Sequence, residues 1–302
     1  MPVCGKNPDA NTMLAQLLIS RGIETAELAS QFLLPSLSQL HSPYLMTGMK
    51  AAVDRLDAAI ERKEGILVYG DYDVDGTTAV VILKTAIELC GGSADFHVPH
   101  RIREGYDLRG DVIERAAAAD IRLVISVDAG TRAFAAAESA RRAGVDLIIT
   151  DHHLPGQDGL PHAFAVLNPN QPGCDYPCKS LCGAGIAFKL AQALMERRLA
   201  HREQSPLLIS FMKVAAIATI ADSVPLGGEN RVIASLGLNA LRKAVNPGLK
   251  ALLEVALLAG KGLTAGEVAF CIAPRPCLPS RKVSFYQVTA GASLLPGGRH
   301  AG

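Results

Sequence analysis

Short apolar runs that end directly in acidic residues constrain the fold of this chain more than any other feature of its sequence. In chain order, the runs and the acids that follow them are residues 66–69 with Asp71, residues 123–127 with Asp128, and residues 147–150 with Asp151. Helical patterns at residues 78–90 and 131–142 separate the runs. Alternation of this kind is typical of β–α units in a parallel sheet. The sequence therefore predicts an α/β fold.

The acids at the strand ends are predicted to form one site. All strands of a parallel sheet present their carboxyl ends at the same edge, which is where ligands bind. A desolvated carboxylate costs several kcal/mol, roughly, unless it is paired or bound to a metal. An isolated D-x-D-x-D run could be a solvated loop, but acids at three strand ends favour a shared site. The converging residues are Asp71, Asp73, Asp75, Asp128, Asp151, His152 and His153.

The chemistry of these ligands indicates which metal they bind. Several carboxylates with one or two imidazoles and no thiolate suit Mn²⁺ or Mg²⁺ better than a structural Zn²⁺. The carboxylates are too numerous for one ion, and a pair of ions that share a carboxylate is used for in-line displacement at phosphorus. Asp128 is the candidate bridge, because no acid neighbours it. The predicted reaction is metal-assisted phosphoester hydrolysis.

Asp222 follows an apolar helical pattern at residues 211–220. Taken alone, it is most simply a polar residue at a helix end, because acids are common at element boundaries. The sequence around it, Ala-Asp-Ser-Val-Pro-Leu, does not by itself indicate a metal ligand.

Four motifs together resemble the DHH phosphoesterase superfamily, and within it the RecJ family of single-stranded-DNA exonucleases. They are Tyr-Gly-Asp-Tyr-Asp-Val-Asp-Gly-Thr-Thr-Ala at 69–79, Val-Asp-Ala-Gly at 127–130, Asp-His-His at 151–153 and Ala-Asp-Ser-Val-Pro-Leu at 221–226. Further segments at 21–23, 32–37, 168–172 and 183–189 extend the resemblance over residues 17–275. It implies a five-stranded, parallel, Rossmann-like DHH sheet with helices on both faces.

The resemblance also implies roles for individual residues. His153 would lie near the scissile phosphate and act with Asp128 in catalysis. The implied metal ligands, for two Mn²⁺ or Mg²⁺ ions, are Asp71, Asp73, Asp75, Asp128, His152 and Asp222.

Candidate substrate contacts come from local charge and from glycines. Arg101 and Arg103 follow a short predicted strand at residues 95–98 and could contact phosphate or simply be solvated. Gly183 and Gly185 precede a predicted helix at 186–197, and free N–H groups at a helix N-terminus bind anions. A plain tight turn is the alternative for these glycines, and the resemblance favours phosphate binding. Arg275, where the resemblance ends, completes the predicted set.

Composition limits the partners of the chain. A formal net charge of +1 carries no overall nucleic-acid signature, so attraction to DNA must come from local patches. The absence of Trp and an aromatic content of 5% argue against an extended base-stacking surface. No apolar run of membrane length or signal peptide is evident, and seven cysteines are an odd number. We expect a cytoplasmic protein without a membrane partner.

Cys174, Cys178 and Cys182 recur at every fourth position. This spacing fits neither a C-x₂-C zinc pair nor a redox C-x-x-C motif, so we expect these cysteines to be incidental.

The predicted organisation has four parts. They are a helical N-terminal lead-in at residues 1–64, a DHH phosphoesterase domain at 65–225, a helical connector at 226–275 and an irregular tail at 276–302. The tail is rich in Pro and Gly and departs from the RecJ pattern, as a truncated or frameshifted ending would. The DHH-associated and oligonucleotide-binding domains of that family are therefore expected to be absent.

Three functions remain open from the sequence. The first, implied by the resemblance, is 5′-to-3′ exonucleolytic hydrolysis of single-stranded DNA in repair and recombination, with a single-strand-binding protein or a helicase as a possible partner. The second is a DHH phosphoesterase for oligoribonucleotides or dinucleotides. The third is a non-catalytic protein of replication complexes. Members of that third class typically lose ligands, whereas this sequence retains all of them.

Overall fold

A parallel sheet of five strands forms the centre of the structure, a computed structural model that describes residues 8–243 and 246–274. The strand order is β2-β1-β3-β4-β5, and every neighbouring pair is parallel. This arrangement confirms the predicted fold class. The strands are β1 (Gly65–Gly70), β2 (Ala94–His97), β3 (Ile121–Val127), β4 (Asp146–Thr150) and β5 (Ala165–Leu167).

Helices cover both faces of the sheet. Successive side chains of a strand point to opposite faces, so Ile66 and Val68 of β1 join one core cluster, whereas Leu67 and Tyr69 join the other. A strand buried on both faces is apolar throughout, which explains why the strand runs show no alternation with polar residues. The helices are α1 (Pro8–Ile19), α2 (Ala26–Leu33), α3 (Met49–Glu61), α4 (Val74–Leu89), α5 (Gly110–Ala118), α6 (Phe134–Ala143), α7 (Gly183–Arg198), α8 (His201–Ala221), α9 (Gly228–Leu241), α10 (Pro247–Val255) and α11 (Ala265–Glu267).

The two core clusters differ in size. Helices α3, α4, α7, α8 and α9 contribute to the larger cluster on one face of the sheet. Helices α5 and α6 pack on the other face and form the smaller cluster, which is rich in alanine. Helices α4 and α7 pack against each other on the larger side, and their first turns are joined by hydrogen bonds from Gly183 and Ala184 to Asp75.

Four helices begin at residues other than those that the sequence predicted. Helix α8 starts at His201 rather than at residue 211. Helix α4 starts at Val74 rather than Thr78, because the carboxylate of Asp73 caps it. Helix α6 starts at Phe134 rather than Thr131, since the Thr131 N–H donates to Asp151 instead of to a helical carbonyl. Helix α7 starts at Gly183, so the glycines form its first turn rather than preceding it.

Helix α8 is apolar and long enough, from Arg202 to Ala221, to cross a membrane. Its most apolar window is 61% buried within the structure, and it packs against α4, α7 and α9. These contacts are those of a core helix.

Helices α1, α2 and α3 precede the sheet, and α9, α10 and α11 follow α8. The predicted domain boundaries stay predictions, and the tail at residues 276–302 lies outside the described residues.

Candidate metal centre

The carboxyl ends of three neighbouring strands place three acids side by side. Asp71 follows β1, Asp128 follows β3 and Asp151 follows β4, and each of them is at most 4% exposed. Because β1, β3 and β4 are adjacent in the sheet, acids that are 80 positions apart in the chain become neighbours. Asp128 adopts a left-handed conformation with φ of 58°, which aspartate tolerates better than most residues.

The start of α4 carries the other two acids of the first motif. Asp73 is the N-cap residue, and its Oδ1 accepts the N–H of Gly76 at 2.9 Å. Asp75 lies in the first turn and is 3% exposed. Position 76 requires glycine, because a Cβ there would lie 2.5 Å from the backbone nitrogen of Asp71. The helix end therefore packs directly against the loop that carries Asp71.

Among the described residues, three overlapping groups of side chains could hold metal ions. In each group, the candidate ligand atoms lie within 4.8 Å of one another. The groups are Asp75, His152 and Asp222; Asp71, Asp73 and Asp128; and Asp128, His152 and His153. The structure thus brings all six predicted ligands together, including Asp222, which caps the C-terminus of α8.

Asp128 belongs to the second and the third of these groups. Its Oδ1 is 3.3 Å from Nε2 of His152, and the same nitrogen is 3.8 Å from Oδ2 of Asp75. Oδ1 of Asp128 and Oδ1 of Asp71 are both buried, and neither has a hydrogen-bond partner among the described residues. Buried carboxylate oxygens without partners are costly, and a hard divalent cation would satisfy them. The side chains present therefore fit Mn²⁺ or Mg²⁺, with Asp128 as the shared ligand.

The electrostatics of the site also favour bound cations. Burial, with a further contribution from Asp73, raises the pKa of Asp71 to about 6. Burial and the carboxylate of Asp75 raise the pKa of Asp222 to about 6. Burial and the neighbouring carboxylates raise the pKa of Asp128 well above its usual value. These shifts describe an excess of negative charge that metal ions would neutralise.

Asp151 fixes the orientation of His153. Its Oδ1 accepts the Nδ1–H of His153 at 2.7 Å and the backbone N–H of His152 at 2.8 Å, while Oδ2 accepts the N–H of Thr131 at 2.8 Å. Burial alone would raise the pKa of Asp151, but the hydrogen bonds from His153 and Thr131 hold it below its usual value. The bond to Asp151 raises the pKa of His153. Nε2 of His153 lies 3.5 Å from the hydroxyl of Tyr106.

Two asparagines after β5 support the histidines, and sequence reasoning gave them no role. The side-chain amide of Asn168 donates to the carbonyl of His153 at 2.8 Å. The amide of Asn170 donates to the carbonyl of His152 at 2.9 Å. Their position directly after a strand of the same sheet was the signal that could have identified them, because the carboxyl end of β5 shares the edge with the metal centre.

Arg101 and Arg103 lie exposed in a turn between β2 and α5. The guanidinium of Arg101 lies 5.3 Å from the ring centroid of Tyr72. The Tyr72 ring makes an edge contact with Tyr106, which in turn contacts His153, with centroid distances of 6.4 and 6.3 Å. Arg101 therefore extends the rim of the metal centre, whereas the backbone N–H of Arg103 donates to the carbonyl of His100 within the turn.

The predicted phosphate site at Gly183 and Gly185 requires a correction. The N–H of Gly183 donates to Asp75 Oδ2 at 2.6 Å, and the N–H of Ala184 donates to Asp75 Oδ1 at 2.8 Å. These donors are therefore not free for a substrate anion. Gly185 lies buried within the helix, where an added Cβ would face Leu181. Arg275 lies outside the described residues.

Cys182 is closer to the metal centre than its sequence spacing suggested. It is the N-cap residue of α7 and is fully buried, and its Sγ lies 3.8 Å from the hydroxyl of Thr219. Burial and the nearby carboxylate of Asp75 raise the pKa of this thiol well above its usual value. Cys174 and Cys178 are buried free thiols.

The sequence is similar to curated single-stranded-DNA-specific exonucleases named RecJ. It is 42% identical over 265 residues to that of Bacillus subtilis (strain 168), a match that covers 87% of this chain and 32% of the relative. It is 37% identical to that of Escherichia coli (strain K12), covering 87% of this chain and 46% of the relative. The chain thus spans a third to a half of the length of these relatives.

The structure is also similar to solved structures of RecJ exonucleases. An exonuclease RecJ bound to manganese superposes with a TM-score of 0.72 at 32% identity, covering 85% of this chain and 63% of that one. RecJ from Thermus thermophilus in complex with Mn²⁺ superposes with a TM-score of 0.70 at 31% identity, covering 87% of this chain and 36% of that one.

The N-terminal domain of the DHH family matches residues 65–219, about half of the chain. This segment begins with β1 and ends within α8, three residues before Asp222. It therefore contains the sheet and most of the candidate ligands. The chain belongs to the DHH family.

Proposed function

We propose that this chain is the catalytic part of a metal-dependent, RecJ-type exonuclease that hydrolyses single-stranded DNA. The observation that carries the proposal is the pair of ligand groups that share Asp128, with an unpartnered buried carboxylate oxygen on Asp128 and on Asp71. Two ions held by these residues would supply a Lewis acid and an activated water for displacement at phosphorus. The identities of 42% and 37% to RecJ exonucleases support DNA as the substrate.

The residues around the ligands have complementary roles in this proposal. Asp151 holds Nδ1 of His153, so Nε2 is free to donate to a nonbridging oxygen of the scissile phosphate. Asn168 holds the backbone of the same histidine. Tyr106 contacts His153, and Arg101 lies over the ring of Tyr72, which contacts Tyr106. At these positions a guanidinium would contact phosphate and an aromatic ring would contact a base.

The biological setting is part of the proposal. From the resemblance to RecJ we propose a 5′-to-3′ polarity and a role in DNA repair and recombination, with a single-strand-binding protein or a helicase as partner. The free cysteines suit the reducing cytoplasm, where disulfides are rare.

Hydrolysis assays with purified protein and Mn²⁺ would test the proposal. The substrates are 5′-labelled single-stranded DNA, the corresponding duplex, dinucleotides and inorganic pyrophosphate. We expect mononucleotides from single-stranded DNA, and no product after chelation of the metal. Faster turnover of dinucleotides than of DNA would instead identify a small-substrate phosphoesterase. Mn²⁺ binding without hydrolysis of any substrate would favour the non-catalytic class.

A further inference from the structure

The N-terminus of α7 contacts the metal centre without contributing a ligand side chain. A helix begins with N–H groups that lack acceptors in the helix, and a capping side chain usually satisfies them. The side chain of Cys182, the N-cap residue of α7, makes no capping hydrogen bond. The carboxylate of Asp75, from the first turn of α4, accepts these N–H groups instead, with one oxygen on Gly183 and the other on Ala184.

These contacts constrain Asp75 in two ways. Each carboxylate oxygen is engaged by one backbone N–H, which fixes the rotation of the carboxylate and leaves lone pairs for a metal. The partial positive charge at the start of α7 also attracts the carboxylate. Asp75 is therefore held in one orientation at a position where it is 3% exposed.

The same helix end also limits the position of Asp128. A Cβ added at Gly183 would lie 2.5 Å from Cβ and 2.6 Å from Oδ1 of Asp128. Asp128 cannot easily withdraw, because its backbone is left-handed and its N–H is bonded to the carbonyl of Thr150 at 2.9 Å. Glycine at 183 therefore allows the shared carboxylate to pack directly on the end of α7.

We infer that Gly183, together with the N–H of Ala184, is a positioning element for the metal centre: it orients Asp75 and makes room for Asp128, so that one helix end aligns a ligand of each ion. The inference rests on the proposed metal-dependent function and adds to it a determinant that is outside the four sequence motifs. It replaces the phosphate-binding role that the sequence suggested for this glycine.

Mn²⁺ affinity of the purified chain, measured by calorimetry and by electron paramagnetic resonance of free Mn²⁺, tests this inference. Loss of a group that orients a ligand typically costs about 10- to 100-fold in metal affinity, and we expect Gly183→Ala to weaken Mn²⁺ binding by that factor. Gly266→Ala is the matched control, because a Cβ there meets nothing closer than Thr264 Oγ1 at 3.9 Å. Circular dichroism must show the same helical content for both variants.

A second substitution separates the hydrogen bond from the steric effect. Replacing Ala184 with lactic acid by nonsense suppression removes its N–H and leaves the side chain unchanged, and we expect weaker Mn²⁺ binding again. If Gly183→Ala does not fold, the Mn²⁺ affinity of this variant tests the inference instead. Affinities within about twofold of wild type in the folded variants would overturn the inference. A wild-type chain that binds no Mn²⁺ would overturn the proposed function itself, and the inference with it.

Discussion

At the scale of single residues, the metal centre consists of buried carboxylates whose ionised form is unfavourable without bound cations. Asp71, Asp75, Asp128 and Asp222 all have raised pKa values, and burial is the largest cause for each. The metal-free protein therefore bears an energetic cost that bound cations would relieve. Removing one of these charges should affect function and stability in opposite directions.

Asp128→Asn is expected to reduce hydrolysis by about 10³-fold or more, because loss of the shared ligand removes several kcal/mol of transition-state stabilisation. Asparagine also tolerates the left-handed backbone at this position. The metal-free variant should unfold at the same temperature as wild type or higher, since a buried charge is gone. Asp120→Asn, which changes an exposed acid at the opposite end of β3, serves as the control. Substantial residual activity in folded Asp128→Asn would exclude the bridging role.

Mn²⁺ affinity should fall as the pH drops below about 6, because protons compete for Asp71 and Asp222, whose pKa values are each raised to about 6. The same shifts have a defined effect on the metal-free protein. A raised folded-state pKa contributes stability below the unfolded-state pKa, and this contribution disappears as the pH rises through about 6. Calorimetry in buffers of different ionisation enthalpy should show proton release on binding at pH about 6. Binding without proton release would contradict this prediction.

The two adjacent histidines should differ in function. His152→Ala should weaken Mn²⁺ binding, because Nε2 of His152 lies between Asp75 and Asp128. His153→Ala should leave Mn²⁺ affinity nearly unchanged and reduce kcat by about 10²- to 10⁴-fold, as expected for a positioned proton donor. Metal titration and steady-state kinetics on both variants would distinguish these roles. Equal loss of Mn²⁺ affinity in both variants would show that His153 is a ligand.

At the scale of secondary structure elements, a buried polar network joins α7 to α9 and to the segment before α3. Nζ of Lys189 donates to Glu229 Oε1 at 3.0 Å and to the carbonyl of His41 at 2.7 Å. The hydroxyl of Tyr176 donates to Glu229 Oε2 at 2.5 Å. Lys189 and Glu229 are both fully buried, so each charge depends on the other. The network fixes α9, and with it the loop after Asp222, against the sheet domain.

Lys189→Met should destabilise the protein by about 3–5 kcal/mol, because it leaves Glu229 as an unpaired buried charge. Adding Glu229→Gln should recover part of this loss. Lys50→Met is the control, since its pair with Asp54 is exposed and should contribute at most about 1 kcal/mol. Denaturant unfolding of the four proteins measures these differences. A loss in Lys189→Met no larger than that of the control would show that the buried pair contributes little.

At the scale of the whole molecule, the chain combines a complete candidate metal centre with little positive charge. Its formal net charge is +1, and it spans a third to a half of the length of its curated relatives. Phosphate contacts dominate the affinity of proteins for nucleic acid and make it dependent on salt. We therefore expect this chain to cut single-stranded DNA distributively.

Binding of single-stranded DNA by this chain should be weak and should weaken further by at least about tenfold between about 50 and 200 mM salt. Fluorescence anisotropy with a labelled oligonucleotide in Ca²⁺ would measure affinity without turnover. Deleting residues 276–302 should change this affinity little, and appending a RecJ-type second domain after Arg275 should raise both affinity and the length degraded per encounter. Processive degradation by the unmodified chain would contradict this expectation.

The order of amino acids was enough to establish the fold class and the set of candidate ligands. Parallel strands must be apolar on both faces, and their carboxyl ends must share an edge, so the positions of Asp71, Asp128 and Asp151 could be derived from apolar runs and helical patterns alone. The family resemblance added Asp222, which is a plain helix-end acid on its own. Roles for individual residues beyond this placement remain predictions that the experiments above address.

The surroundings of those ligands could be known only from the packing of the elements. The N–H groups of α7 point at Asp75, 108 positions earlier in the chain, and local sequence cannot show that a helix end is already occupied. The amides of Asn168 and Asn170 reach the carbonyls of His153 and His152 from the end of β5. Hydrogen bonds between distant elements depend on how helices pack on the sheet, and that packing is fixed by side-chain shape, which periodicity does not encode.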